Sequence, residues 1–199
     1  MKKRLLIIGA FLVLAAFAAK AEVKTYQCGE NCTATLDENG VMRVSGTGAM
    51  YGYNATTRYE TPWYNDRASI SALVVEDGIT TVGAFAFFGL GKIQAIDLAK
   101  SVQSIEHHAF DAVQKVKDIT MSDSTVWDNQ DNFNDLAKSP DITIHCRGVL
   151  SKCEENLMKT QKKTQSHITV VTKLGKRIYT VEQANAASRD ANRISIRYK

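Results

Sequence analysis

Four cysteines in two close pairs, Cys28 with Cys32 and Cys146 with Cys153, are the side chains whose type and spacing best suit chemistry. They offer three kinds: thiol–disulfide exchange, nucleophilic attack and metal binding. An even count suits disulfides if the chain reaches an oxidising compartment. Three connectivities are open; local pairing, 28–32 and 146–153, is the simplest. Each bridge would close a small loop, worth about 2 kcal/mol by loop entropy. A zinc site is the rival. His145 adjoins Cys146, but two clusters at finger-like spacing are missing. A nucleophilic Cys146 with His145 as its base is a third reading. A second cysteine seven residues on, in an oxidising compartment, favours oxidation instead. Other motifs fail on spacing. Glu106-His107-His108 lacks the metalloprotease order. Gly46-Thr47-Gly48 with Gly52 misses the dinucleotide spacing by one residue, and no Gly-x-Ser-x-Gly elbow occurs. No catalytic residue, cofactor site or metal site is assigned, and an enzyme is not expected.

The oxidising compartment is itself legible. Lys2, Lys3 and Arg4 precede an apolar run of fifteen residues, Leu5 to Ala19, and Ala19-Lys20-Ala21 supplies small-x-small cleavage after Ala21. The run is short of the roughly 20 residues a membrane span needs. The expectation is an exported chain beginning at Glu22, without stable membrane insertion: periplasmic, secreted or at the cell surface. Cleavage also rewrites the charge. The whole chain holds 25 Lys+Arg and 21 Asp+Glu, but four of the basic residues (Lys2, Lys3, Arg4 and Lys20) lie in the leader, leaving 21 of each. The basic excess is therefore no argument for nucleic acid. Residues 22–146 carry 9 basic and 17 acidic residues, whereas residues 147–199 carry 12 basic and 4 acidic. An acidic body precedes a basic tail.

Any ligand-binding side chains must be positioned by the middle of the chain, which repeats with a step of 23. Leu73, Ile96, Ile119 and Ile142 form one series, and Val75, Leu98, Met121 and Ile144 another. Phe87, Phe110 and Phe133 keep the step; Ile70, Ile93 and Val116 keep it until Ser139, and Val82 and Ile105 until Asp128. A fixed period with apolar positions in phase marks a leucine-rich-repeat-like solenoid, in which each unit buries its apolar face only against its neighbours. Within Ile96-Asp97-Leu98 the alternation is that of a strand, with Asp97 outward.

The segments Ile79-Thr-Thr-Val82-Gly83-Ala84-Phe85-Ala86-Phe87 and Val102-Gln-Ser-Ile105-Glu106-His-His-Ala109-Phe110 resemble the BspA-like leucine-rich repeats of bacterial and protist surface proteins. Cys28-Gly29-Glu30-Asn31, Val44 to Met50 and Thr61-Pro62-Trp63-Tyr64 look like the flank that often precedes such repeats, so the resemblance covers roughly residues 27–146. It departs at Ala99, where the family has proline, and at Glu106, which does not match Gly83. The resemblance implies a binding or adhesion role, a protein or glycan ligand, no catalysis, and an interaction surface on the outward strand positions. Those include Asp97, Thr120 and Thr143, expected as one row, with Asp118 and Asp141 as a second.

The flanks complete an expected α/β-type repeat: a short leucine-rich-repeat solenoid with about 23-residue units. Residues 1–21 are the leader, 22–69 an N-terminal β-hairpin cap turning at Asn39-Gly40, 70–146 the solenoid, and 147–199 a basic, ββαβ-like segment. In that last segment Ile168 to Thr172 and Arg177 to Tyr179 read as strands, Ser151 to Gln161 and Thr180 to Ala187 as helices, and Ile194 to Tyr198 as a final strand. The competing functional reading is a periplasmic, envelope-associated structural protein that holds anionic polymers through this tail. Ligand identity and oligomeric state are not encoded in any recognisable pattern.

Overall fold

A computed structural model describes residues 22–122, 124–127, 141–146, 167–172 and 175–179. The leader with its cleavage site at Ala21, Phe133, Cys153, the two expected C-terminal helices and the expected final strand Ile194 to Tyr198 lie outside the described residues.

Three antiparallel strands open the fold: β1 (Lys24–Gly29), β2 (Asn31–Leu36) and β3 (Val41–Ala49). The β2–β3 turn falls at Asn39-Gly40 as expected. Asp37 Oδ1 accepts from the Asn39 and Val41 amides at 2.9 Å each, and Gly40 has φ 78°. Strands β4 (Ala72–Val75), β6 (Ala95–Leu98), β8 (Asp118–Met121) and β10 (Asp141–Cys146) then run parallel beside β3. A second parallel ladder forms from β5 (Ile79–Val82), β7 (Ser104–Ile105) and β9 (Val126–Trp127). Strand β3 belongs to both ladders. Its first half pairs with β4, its Gly48 and Ala49 pair with β5, and it bends between them at Gly46 and Gly48 (φ 116° and 87°).

Where an α/β-type repeat would place a helix, each described coil instead uses the short second strand and hydrogen-bonded turns. The single helical element among the described residues is a three-residue 3-10 turn, Tyr64–Asp66. The turns stack like the strands: Phe87 N donates to Ala109 O and Gly89 N to Asp111 O, both at 2.9 Å. Backbone strain repeats as well. Phe85 and His108 have φ 53° and 55°, and one turn later Gly89 and Ala112 have φ 77° and 63°. The departure at Gly83 also has a cause. A Cβ there would lie 2.2 Å from the Tyr51 carbonyl oxygen, whereas Glu106 uses its carboxylate to accept from Ala84 N at 2.9 Å.

The apolar series converge on one core. Ile70, Leu73, Val75, Val82, Phe87, Ile93, Ile96, Leu98, Ile105, Phe110, Val116, Ile119 and Met121 are buried. Burying each such side chain contributes roughly 1.5–3 kcal/mol, an upper bound set against an extended unfolded chain. An aromatic column runs through the core. Phe110 stacks on Phe87 (5.3 Å, 16°), Phe87 stacks on Trp63 (5.4 Å, 19°), and Tyr26 meets Trp63 edge-on at 6.1 Å. Trp63 thus supplies, from the flank, the ring of a preceding coil, and the edge-on Tyr26 ends the column. Thr125 stands one step beyond Val102. It remains buried because its hydroxyl donates to Val102 O at 2.8 Å.

Beyond Cys146 the sheet continues. Strand β11 (His167–Thr172) pairs parallel with β10, and β12 (Gly175–Tyr179) pairs antiparallel with β11. Strands β11 and β12 are thus continuous with the main ladder.

Candidate functional site

The outward face of the strand ladder is built by alternation. Leu73 and Val75, Ile96 and Leu98, and Ile119 and Met121 face the core, which leaves Ala72, Val74, Ala95, Asp97, Asp118 and Thr120 outward. Pairing sets the rows. Ala72 lies beside Ala95 and Ala95 beside Asp118; Val74 lies beside Asp97 and Asp97 beside Thr120. These are steps of 23.

The next step is 25. Strand β10 pairs Thr143 with Asp118, Ile144 with Ile119, His145 with Thr120 and Cys146 with Met121. The expected rows therefore change. Thr143 extends the row of Asp118, His145 extends the row of Asp97 and Thr120, and Asp141 lies before the paired stretch. Ile144, not Ile142, follows Ile119 and is buried. The shift was hidden because a slip of two residues keeps every side chain on its own face, and Ile142 and Ile144 are both apolar. His145 is the side chain the sequence reading missed on this face. Its Nε2 lies 3.4 Å from Asp118 Oδ1, and both side chains are about half exposed.

At the N-terminal end of the face Arg43, beside Val74 in register, approaches Glu76 at 3.9 Å. Exposed ion pairs of this kind contribute about 0–1 kcal/mol, so the charges remain available to a partner at little cost to the fold. The face grades from small side chains at Ala72 and Ala95 to acidic, hydroxyl and imidazole groups at Asp97, Asp118, Thr120, Thr143 and His145.

The cysteines are placed differently. Cys28 and Cys32 flank the tight β1–β2 turn, both buried and both unlinked thiols. Burial, with Cys32 nearby, pushes the Cys28 thiol up to about 12, and burial raises Cys32 as well. Such thiols are protonated at neutral pH and are poor nucleophiles. Cys32 Sγ lies 3.3 Å from Thr47 O. The Cys146 backbone pairs in register with Met121; its proposed partner Cys153 lies outside the described residues. Glu106, His107 and His108 sit on the stacked turns. Glu106 caps Ala84, and His108 Nδ1 lies 3.2 Å from Asp111 Oδ2. Among the described residues no group of three or more His, Cys, Asp or Glu side chains is placed to hold a metal ion. Among them, too, no helix is long and apolar enough to cross a membrane.

Parallel strands in register, turn-built backs and a solvated outer strand face define a leucine-rich-repeat solenoid. The family model of the BspA type leucine rich repeat region matches residues 60–182 in six copies, and the chain belongs to that family. Among solved structures it is similar to a leucine-rich repeat protein from Eubacterium ventriosum ATCC 27560, with 22% identity and a TM-score of 0.49. The match covers 76% of this chain and 44% of that one, so the chain spans less than half that protein's length. A search of curated proteins gave no match.

Proposed function

We propose that this is an exported leucine-rich-repeat binding module of the cell surface or extracytoplasmic space, engaging a protein or glycan ligand through the outward strand face without catalysis. One observation carries the reading: side-by-side strands bring Asp97, Asp118, Thr120, Thr143 and His145, far apart in sequence, into two adjacent rows. The family assignment supports a surface role. In the proposed exported state Cys28–Cys32 and Cys146–Cys153 are bridged, and thiol titration of the denatured, unreduced protein should find no free thiol.

The test is capture from envelope and extracellular-matrix extracts on the immobilised chain from Glu22. Captured components should be lost when Asp97 and Asp118 are both changed to Lys; an unchanged captured set refutes the strand-face assignment. A second reading is favoured by the 12 basic against 4 acidic residues of 147–199: attachment to an anionic envelope polymer through the tail. Changing the tail lysines Lys152, Lys159, Lys162 and Lys163 to Gln separates the two, because it removes charge while keeping β11 and β12: envelope association lost with that charge supports the second reading and association retained supports the first.

A further inference from the structure

We propose a second binding surface, remote from the strand face: a tyrosine–arginine platform for a neutral carbohydrate chain, built by the β3–β4 connection on the back turns of the first coil. That connection, residues 50–71, spans 22 residues and contains only the 3-10 turn. Ordered connections beyond about 12–15 residues are uncommon and are usually functional. This one is firmly held. Asn54 Oδ1 accepts from the Thr56 and Thr57 amides at 2.8 and 3.0 Å, Trp63 is buried in the aromatic column, and Asp66 binds Lys24 and Tyr26.

Four of the chain's seven tyrosines fall between residues 51 and 64. Tyr51 and Tyr59 are 48% and 47% exposed, two of the four large hydrophobic side chains left exposed among the described residues. Tyr59 is fixed in place. The Arg58 guanidinium lies 4.7 Å from the centroids of both Tyr59 and Phe88 and donates to Tyr59 Oη at 2.7 Å. Tyr64 and Phe88 meet Tyr59 edge-on at 5.3 and 5.9 Å, and Arg67 lies 3.9 Å from the Tyr64 centroid. The two buried side-chain donors with no protein acceptor among the described residues, Arg58 Nε and Trp63 Nε1, are both in this loop.

The ligand class follows from charge and shape. Arg58 and Arg67 are balanced by Glu60 and Asp66 within the segment, so it selects neither polyanions nor polycations. Rigid aromatic rings lose little conformational entropy on binding and present apolar faces with polar edges. The C–H face of a pyranose ring packs on such a ring, and its hydroxyls need the guanidinium, amide and hydroxyl groups around it. An oligosaccharide matches both demands. The proposal does not depend on the strand-face reading.

Affinity electrophoresis of the chain from Glu22 tests it, in gels containing soluble β-glucan, mannan, galactomannan or pullulan, with dextran sulfate as the anionic control. At least one neutral polysaccharide should retard the protein. Tyr59→Ala should weaken that retardation about tenfold, whereas the Asp97→Lys/Asp118→Lys variant should keep it. The urea midpoint of Tyr59→Ala is read beside its retardation, and Tyr59→Phe, which keeps the ring, should retain most of the retardation, so that lost binding is distinguished from lost fold. No retardation by any neutral polymer, retardation by dextran sulfate alone, or equal retardation of Tyr59→Ala and wild type would each overturn the proposal.

Discussion

Gly89 and Ala112 occupy one position of successive coils, and both hold a left-handed backbone. This makes a matched pair of substitutions with opposite signs. A Cβ added at Gly89 would meet nothing within 4 Å, so Gly89→Ala changes backbone energetics and little else. An L-residue in the left-handed region costs roughly 1–2 kcal/mol. The greater freedom of glycine in the unfolded chain offsets roughly 0.4–1 kcal/mol of that. The net is about 0.5–1 kcal/mol in favour of glycine. Gly89→Ala should therefore destabilise by that amount, and Ala112→Gly should stabilise by a similar one. The Ala112 amide donates to Asp111 Oδ1 at 2.9 Å, a bond that glycine retains. Urea unfolding followed by circular dichroism should show opposite midpoint shifts at unchanged slope. Thermal midpoints should move by roughly 2–4 °C per kcal/mol for a chain of this size. Shifts in the same direction, or a loss of stability in Ala112→Gly, would refute the argument that repeat phase fixes this backbone strain.

Phe87→Ala removes the middle ring of the aromatic column and should cost about 3–5 kcal/mol, read as a lowered urea midpoint; a loss below about 1 kcal/mol would mean the column is dispensable. Gly46→Ala would place a Cβ 2.0 Å from Asn31 O at a φ of 116°. It should destabilise by more than about 1 kcal/mol, with hydrogen exchange rising first in β2 and β3. Hydrogen bonds from Lys24 and then Tyr26 hold the Asp66 carboxyl below its ordinary value. Because the folded value lies below the unfolded one, this stabilisation is present above the ordinary carboxylate range and fades as pH falls through the lowered value. Asp66→Asn should flatten the acid limb of the stability–pH curve, and an unchanged limb would show that the contact contributes nothing.

The inward positions were legible because burial repeats with the chain. Leu73, Ile96 and Ile119, and Phe87 and Phe110, are apolar for the same reason in successive coils. The Asn39-Gly40 turn was legible because its backbone preference is local. The 25-residue step into β10 was not, since period-two alternation cannot distinguish registers two residues apart, and so His145 went unassigned to the face. The second ladder was also hidden. Its strands, four residues at β5 and two at β7 and β9, are too short to show a period. Trp63 reads locally as part of a Thr-Pro-Trp turn, and its place in the column appears only once Phe87 is beside it. The tyrosine loop carried a compositional signal, four tyrosines in fourteen residues, but exposure had to be seen to give it meaning.

Strand β3 has a consequence for the order of assembly. It is the strand on which both ladders begin, and its own pairing to β2 needs nothing downstream. A chain that emerges N-terminus first, from a ribosome or a translocation pore, completes this template before any coil arrives. Each later coil then closes a loop of only about two dozen residues onto a finished edge, a small and nearly constant entropic cost. Folding can keep pace with delivery, and the partly emerged chain exposes one unpaired growing edge in each ladder rather than a whole unfolded core.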